Sequence, residues 1–271
     1  MRAIEVIIPI YNAPTDLANC LEALVTRLPA FARVWLVDDA STDARVEPLI
    51  ADFLRRVQVS AKSIRNPTNL GFVGTVNRAM ALSKGDVLLL NSDTIVAGKW
   101  LERIAVAAQR VPQAASITPW SNNAEICSVP KFCAKNPVPA NPDRIAEVLA
   151  SAGTPGYPDL PTAVGFCMFL RRRALQKIGD FDRATFGRGY GEENDWSMRA
   201  RGHGWRNILC DDAYVVHVGG RSFAETGELP GGENLARLVA RYPNYSKEVS
   251  AFIEADPLKA RRAEILGMKV G

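Results

Sequence analysis

The sequence predicts an α/β fold carried on a mainly parallel sheet, and two observations predict it. Short runs rich in β-branched and aliphatic residues alternate with segments of helical periodicity, the signature of strand–helix–strand crossovers. Polar and acidic residues then gather just after those runs, where an open parallel sheet binds its ligands.

The elements follow in order along the chain. Ile4 to Ile10 (IEVIIPI) is a strand, with Pro9 near its end, where a missing N–H is tolerated. Thr15 or Asp16 is the expected cap of the next helix. In that helix Leu17, Cys20, Leu21, Leu24, Val25 and Leu28 recur at three- and four-residue spacings and mark one buried face. Val34 to Asp38 reads as the second strand, Arg45 to Arg56 as a helix, and Val57 to Ile64 as a weaker strand. Asn66 to Gly71 has loop chemistry. Gly74 to Leu82 is helical, and Asp86 to Leu90 is a continuous apolar run of the kind found in a strand covered on both faces. A helix over Trp100 to Arg110 and a strand over Ala115 to Thr118 complete the first half.

The second half is less regular. Ser121 to Pro142, with repeated prolines and small residues, reads as loop. Asp143 to Ala152 is a helix, Ala163 to Leu170 a buried strand and Arg171 to Ile178 the helix after it. The run Gly187-Arg188-Gly189-Tyr190-Gly191 leads into a helix starting near Glu192. Asn207 to Cys210 and Ala213 to His217 are two short strands, and a charged amphipathic segment runs from Tyr245 to the end. The expected organisation is a nucleotide-binding half over 1–120, a second half of the same domain over 121–230, and a helical segment over 231–271.

Composition narrows the class. The 271 residues are 47% hydrophobic and 23% charged, with 33 Lys and Arg against 29 Asp and Glu. This is the profile of a globular chain whose dispersed basic residues form no nucleic-acid patch. Five cysteines without a C-x-x-C pair argue against a disulfide framework or structural zinc and for a reducing compartment, with a bridge between Cys127 and Cys133 left open. The longest apolar runs are too short to span a bilayer, and the first strand begins at once, with no signal peptide expected. No G-x-G-x-x-G follows the first strand, and no P-loop or G-x-S-x-G elbow occurs, which sets aside dinucleotide oxidoreductases, ordinary P-loop enzymes and α/β-hydrolases.

Three strand ends carry the candidate chemistry: Tyr11-Asn12, Asp38-Asp39-Ala40-Ser41 and Asn91-Ser92-Asp93. A carboxylate at such an end can hold a hard divalent cation while a diphosphate supplies the remaining oxygens. It can equally form only an Asx-turn. Adjacent Asp38 and Asp39 point in different directions, so only one need face a nucleoside. Glu192-Glu193-Asn194-Asp195-Trp196 opens a helix, where acids stabilise the positive helix end, but a carboxylate there can also take a proton from a hydroxyl. His217 ends an apolar strand and can ligate a metal as a neutral imidazole. His203, in Arg201-Gly202-His203-Gly204, reads as a helix stop.

Taken together these motifs resemble the inverting family 2 glycosyltransferases, which have the GT-A fold. The matching segments are Val6 to Asn12 (VIIPIYN), Val37 to Asp43 (VDDASTD), Asn66 to Asn77 (NPTNLGFVGTVN), Asn91-Ser92-Asp93, Gly165 to Met168 (GFCM) and Gly191 to Trp196 (GEENDW), spread over residues 4 to about 222. The resemblance is nearest to bacterial surface-polysaccharide enzymes, rhamnosyltransferase-like members included. It implies that Pro9, Tyr11 and Asn12 border the base and ribose, that Asp39 binds the nucleoside, and that Asn69, Gly71 and Asn77 shape the donor pocket, with Asn91 and Ser92 beside them. Asp93 stands in the D-x-D position and would hold Mn²⁺ or Mg²⁺ against the diphosphate, with His217 completing the metal site. Glu193 stands where the family has an aspartate base, which leaves Glu193 or Asp195 for that role. Gly165, Glu192 and Trp196 would border the acceptor.

The implied reaction moves a sugar from a nucleotide diphosphate donor, UDP or dTDP favoured, to a hydroxyl of a glycan or lipid-linked acceptor. The implied location is cytoplasmic, at the inner face of the plasma membrane where the acceptor is lipid-linked. Lys259 to Lys269 reads either as a membrane-contacting stretch or as a solvated helix face. Two rivals stand beside this reading: a sugar-1-phosphate nucleotidyltransferase, which needs a Gly-rich, Arg-containing loop where this chain has Tyr11-Asn12-Ala13-Pro14, and a non-catalytic domain of a larger glycan-assembly protein.

Overall fold

A computed structural model describes residues 3–219 and 232–267. The last residues of the expected motif span, 220–222, and the tail from 268 onward, Lys269 included, lie outside the described residues. Strands β1 (Ile4–Ile10), β2 (Ala32–Asp38), β3 (Ser60–Arg65), β4 (Asp86–Leu90), β5 (Thr94–Val96), β6 (Ala114–Trp120), β7 (Cys167–Leu170) and β8 (Arg206–His217) form an eight-stranded sheet in the order β3-β2-β1-β4-β7-β6-β8-β5. The β3-β2-β1-β4 half is parallel throughout. Strand β7 runs antiparallel between β4 and β6, β6 and β8 are parallel, and β5 is antiparallel to β8.

Helices cover both faces. They are α1 (Pro14–Arg27), α2 (Val46–Arg56), α3 (Gly71–Leu82), α4 (Trp100–Arg110), α5 (Pro142–Ser151), α6 (Arg172–Ile178), α7 (Arg183–Phe186), α8 (Glu192–Gly202), α9 (Glu233–Arg241), α10 (Tyr245–Ala255) and α11 (Lys259–Gly267). The period-two alternation of a strand explains why β1 and β4 are apolar without a break. Val6, Ile8, Ile10, Leu88 and Leu90 point into the core shared with α1, α2 and α4. Ile7, Val87 and Leu89 point into the opposite core with α3, α6 and Trp196 of α8.

The structure corrects several sequence-based expectations. Neither Thr15 nor Asp16 caps α1; Ala13, in the left-handed region at φ 49°, precedes Pro14 at the first helical position, and no side chain makes a cap bond. Proline fits there because its missing N–H is one a helix start leaves unpaired. The two short strands expected over 207–217 are one strand, β8, whose pairing with β6 shifts register between Pro119 and Trp120. The buried Asp211 inside that shift accepts from the N–H groups of Gly156 and Tyr157 and pairs with Arg261 at 3.0 Å, so the break in apolar pattern is an ion-pair anchor rather than a turn. The strand expected over 163–170 shortens to β7. Strand β5 and helix α7 had no counterpart in the sequence reading, and α9 is the first helix of the segment expected to be helical over 231–271. The C-terminal segment divides into α10 and α11 at Asp256, which has φ 41° and precedes Pro257. All five cysteines are free, and only Cys133 is exposed. Among the described residues no helix is long and apolar enough to cross a membrane.

Gly71 opens α3 at φ +74°, and a Cβ there would lie 2.9 Å from the Cα of Arg188. Both the backbone conformation and the close approach of the 187–191 loop require glycine. Gly71→Ala should therefore destabilise the chain by about 1–3 kcal/mol, read as a lower urea midpoint at unchanged slope.

Candidate active site

The carboxyl ends of β1, β2 and β4 open on one cavity of about 350 Å³, within the size range of small-molecule sites. Pro9, Tyr11, Asp39, Asn69, Gly71, Asn91, Ser92 and Asp93 line its sheet side. Gly165, Glu192, Glu193 and His217 line the other side, with Asn123, Glu125, Phe166, Arg188 and Tyr190.

The two aspartates at the end of β2 diverge as alternation along a strand requires. Asp38 turns into the protein, accepting from the Ser41 N–H at 2.8 Å and pairing with Arg65. Asp39 is buried at the cavity floor. Its Oδ1 accepts from Asn66 Nδ2 and the Leu70 N–H, both at 2.7 Å, and its Oδ2 from the Gly71 N–H at 2.9 Å. Three donors leave one lone pair of the carboxylate for a ligand N–H or O–H, while the same bonds shape the 66–71 loop. Asn69 accepts from the Gly71 N–H and from Arg188, closing the cavity rim.

The Asp93–His217 pair owes its geometry to β5. In the β5–β8 ladder Thr94 faces His217, so the residue before Thr94 lies beside the residues after His217. The Val218 N–H accordingly donates to Asp93 O at 3.0 Å, and the Gly219 N–H to Asp93 Oδ2 at 3.1 Å. His217 Nε2 stands 3.5 Å from the same Oδ2. The other ring nitrogen, Nδ1, lies 2.7 Å from the carbonyl of Asn123, and the ring stacks on Phe166 with centroids 5.2 Å apart. An Nδ1–H held by a carbonyl aims Nε2 at Asp93, where it donates to the carboxylate when protonated and offers a lone pair to a cation when it is not. Asn122 grips the His217 main chain at both polar atoms, accepting its N–H at 2.9 Å and donating to its carbonyl at 3.1 Å.

Charge reinforces the pairing. Burial alone would raise the Asp93 pKa, but the hydrogen bond and charge of His217 outweigh it and hold the carboxyl below its usual range. Burial alone would depress the imidazole, and Asp93 reverses that, so His217 sits above its usual value. A divalent cation fits this donor set, a carboxylate oxygen and an imidazole nitrogen facing one another. No group of three or more acidic, His or Cys side chains with metal-holding geometry occurs among the described residues, so a cation on this pair would need further oxygens from a ligand, water or main chain.

Glu193 lies in the first turn of α8, facing the cavity beside Gly165, where an added Cβ would lie 3.6 Å from its Cγ. Its Oε2 is buried without a hydrogen-bond partner. Burial pushes its carboxyl up to about 7, Glu125 adds to the rise, and the N–H groups at the helix start act against it. The helix start itself is fixed: Asn194 donates to Thr162 Oγ1 at 2.9 Å, and Ser197 Oγ donates to the Glu193 carbonyl at 2.7 Å.

Four of the expected site residues lie elsewhere, each for a geometric reason. Residues two apart on a helix are rotated by about 200°, so Asp195 points away from Glu193. Asp195 is fully buried and bonded to Arg199 at 2.8 Å, Arg241 at 2.6 Å and the Tyr242 hydroxyl at 3.0 Å. It ties α8 to α9 and cannot reach the cavity as a base. Trp196 is also fully buried, donating from its indole to Gly179 O at 2.9 Å, and so makes no acceptor wall. Asn77, two residues past cavity-lining Thr75 on α3, is turned to Phe181, with which it exchanges bonds of 2.8 and 3.2 Å. Asn12 braces the 41–43 loop, its Oδ1 accepting from the N–H groups of Thr42 and Asp43 at 2.9 and 3.0 Å. Missing from the sequence reading were Asn122, Asn123, Glu125 and Phe166. The adjacent asparagines directly after β6, on the ligand side of the sheet, were the available signal for the first two.

The sheet order, with a cavity at the carboxyl ends of β1, β2 and β4, is that of a GT-A fold, and similar proteins agree. Residues 5–131 match the family model described as glycosyl transferase family 2. Similar solved structures include GalNAc-T7 with UDP, GalNAc and Mn²⁺ (TM-score 0.66, 14% identity, 91% of this chain and 50% of that one). The mannosyltransferase PcManGT from Pyrobaculum calidifontis with GDP-Man and Mn²⁺ is another (TM-score 0.59, 16% identity, 98% of this chain and 74% of that one). A third is residues 1–349 of TarS from S. aureus with UDP-GlcNAc (TM-score 0.57, 16% identity, 98% of this chain and 80% of that one). The chain thus spans half the length of GalNAc-T7. No curated protein matches it in sequence.

Proposed function

We propose that this chain is an inverting, metal-dependent glycosyltransferase that moves a sugar from a nucleotide diphosphate donor to a hydroxyl of a glycan or lipid-linked acceptor. The observation that carries the reading is one cavity holding both the His217–Asp93 pair, at 3.5 Å, and the unpartnered Oε2 of Glu193. Asp39 and the 66–71 loop would take the nucleoside. Asp93 and His217 would hold Mn²⁺ or Mg²⁺. The cation, when bound, neutralises charge growing on the leaving diphosphate. Glu193 takes the proton of the attacking hydroxyl as its oxygen bonds to the anomeric carbon. The bond from that carbon to the diphosphate breaks, and its electron pair leaves with the diphosphate. One displacement with inversion is what the motif resemblance implies, with Glu193 as the base and the diphosphate as the leaving group. UDP and dTDP are the favoured donor bases, and a role in bacterial surface-polysaccharide synthesis at the cytoplasmic face of the membrane follows from the motif resemblance.

A thermal-shift matrix of UDP, dTDP, GDP and CDP, each with Mn²⁺, Mg²⁺ or chelator, tests the proposal. A ligand at about 100 times its Kd adds roughly 2.7 kcal/mol of stability, so one diphosphate should raise the melting temperature, and only with metal. A folded chain that none of the four stabilises would sink the reading.

A further inference from the structure

Beyond Glu193, the metal pair, Asp39 and Glu192, the cavity contains one further carboxylate, which has no assigned task. Glu125 sits in a 3₁₀ turn (Glu125–Cys127) after β6, with φ +46°. A left-handed glutamate is uncommon, and such strain persists only where the surroundings hold it. Here they do: the Glu125 carbonyl accepts from the N–H groups of Ser128 at 3.0 Å and Cys133 at 3.2 Å, and Ser128 Oγ accepts from the Ala124 N–H at 2.9 Å. The turn thus aims Glu125 at the cavity, where its carboxylate has neither a cation nor a hydrogen-bond donor among the described residues.

Glu125 is also electrostatically coupled to Glu193, and Tyr245 feels the charge of both. Two acids share one end of the cavity, Glu125 exposed there without a protein partner and Glu193 with its Oε2 unpartnered, and they leave acceptor lone pairs and negative potential to spare. The complementary occupant brings O–H or N–H donors and no negative charge. A second anion placed there would meet like charges in a partly desolvated space, a penalty that discriminates strongly between ligands.

We infer that Glu125 is a specificity-determining residue of the acceptor site: beside Glu193, it selects a sugar that carries an ammonium group or only hydroxyls, and turns away one bearing a carboxylate or phosphate. The inference rests on the transferase reading for the word acceptor, but the charge selection is a property of the cavity itself. In this arrangement Glu125 accepts a hydrogen bond from a hydroxyl or ammonium neighbouring the attacking hydroxyl, while Glu193 faces the attacking hydroxyl.

The test uses the full chain with UDP and Mn²⁺ and three simple probes, the methyl glycosides of glucosamine, glucose and glucuronic acid, with affinities read by saturation-transfer NMR. The wild-type chain should prefer the glucosaminide to the glucuronide by about tenfold or more, roughly the 1.4 kcal/mol that a tenfold ratio represents. Glu125→Gln keeps the size and the backbone and should bring the ratio near one; Glu125→Lys should invert it. Equal ratios in wild type and Glu125→Gln, with melting temperatures matched, overturn the inference. Loss of the ratio in Glu125→Gln without any UDP–Mn²⁺ stabilisation of the wild type retires the transferase reading and leaves the sugar-charge site standing.

Discussion

Glu193→Gln should lower the rate of sugar transfer by about 10²- to 10⁴-fold while leaving metal-dependent stabilisation by the nucleoside diphosphate intact. The amide keeps the shape of the side chain but cannot take a proton, and Glu192, the other cavity-lining acid on α8, is buried and turned by about 100° around the helix from Glu193. Asp195 is held by two arginines and a tyrosine on the far side of the helix. A variant that turns over at the wild-type rate would remove Glu193 from the role.

The same substitution has a pH signature. With the Glu193 carboxyl pushed up to about 7 by burial, the ionised form a base requires grows in as pH rises through about 7, so the rate of the wild-type chain should rise across that interval and then level. Stability should move the opposite way. Between the unfolded value near 4.5 and the folded value of about 7, the folded chain retains a proton that the unfolded chain has released. Folding stability therefore falls as pH rises through that window and is flat beyond it. Glu193→Gln removes this loss, so above pH 7 the inactive variant should melt higher than the wild type, by an amount on the order of 1 kcal/mol. A group that costs stability at working pH and contributes no packing bond of its own is the expected mark of a functional carboxylate.

How much of this was legible in the residues can be argued element by element. Strands β1 and β4 and helix α4 have the boundaries read from the sequence, because an unbroken apolar run or a three-four periodicity is a strong local signal. Strand β5, three residues long, has no such signal. It exists because β8 offers it a partner, a contact more than a hundred residues distant. Yet β5 is what brings Asp93 to His217, so the sequence could supply both metal candidates but not the reason they meet. The base shows the reverse limit. The acidic run 192–195 left two candidates open, since spacing does not say which face of α8 meets the cavity. Burial of Asp195 in its ion-pair network with α9, a helix expected within 231–271 but whose packing against α8 no local pattern disclosed, separates them. Glu125 was invisible for a third reason: a loop residue acquires its role from the fixed turn beneath it, and turn strain leaves no mark on composition.

Asp93→Asn should abolish the metal-dependent part of diphosphate binding, with the apparent metal affinity falling by roughly 100-fold or more, beyond the 10- to 100-fold that loss of an outer-shell partner costs. The amide is isosteric and its oxygen can still accept the Gly219 N–H, so the β5–β8 junction should survive. What is lost is the charge that attracts the cation and holds the His217 imidazole above its usual pKa. This loss separates two consequences in the wild type. Without metal, Asp93 and a protonated His217 form an ion pair at 3.5 Å. With metal, the same imidazole must give up its proton to ligate, so metal binding releases a proton and weakens as pH falls through the His217 pKa. Titrating Mn²⁺ into the UDP-bound chain at pH 6 and pH 8 should therefore show tighter binding at pH 8 for the wild type, and weak binding with a smaller pH difference for Asp93→Asn. Manganese affinity equal in the two proteins would place the cation elsewhere and leave Asp93 as a turn residue.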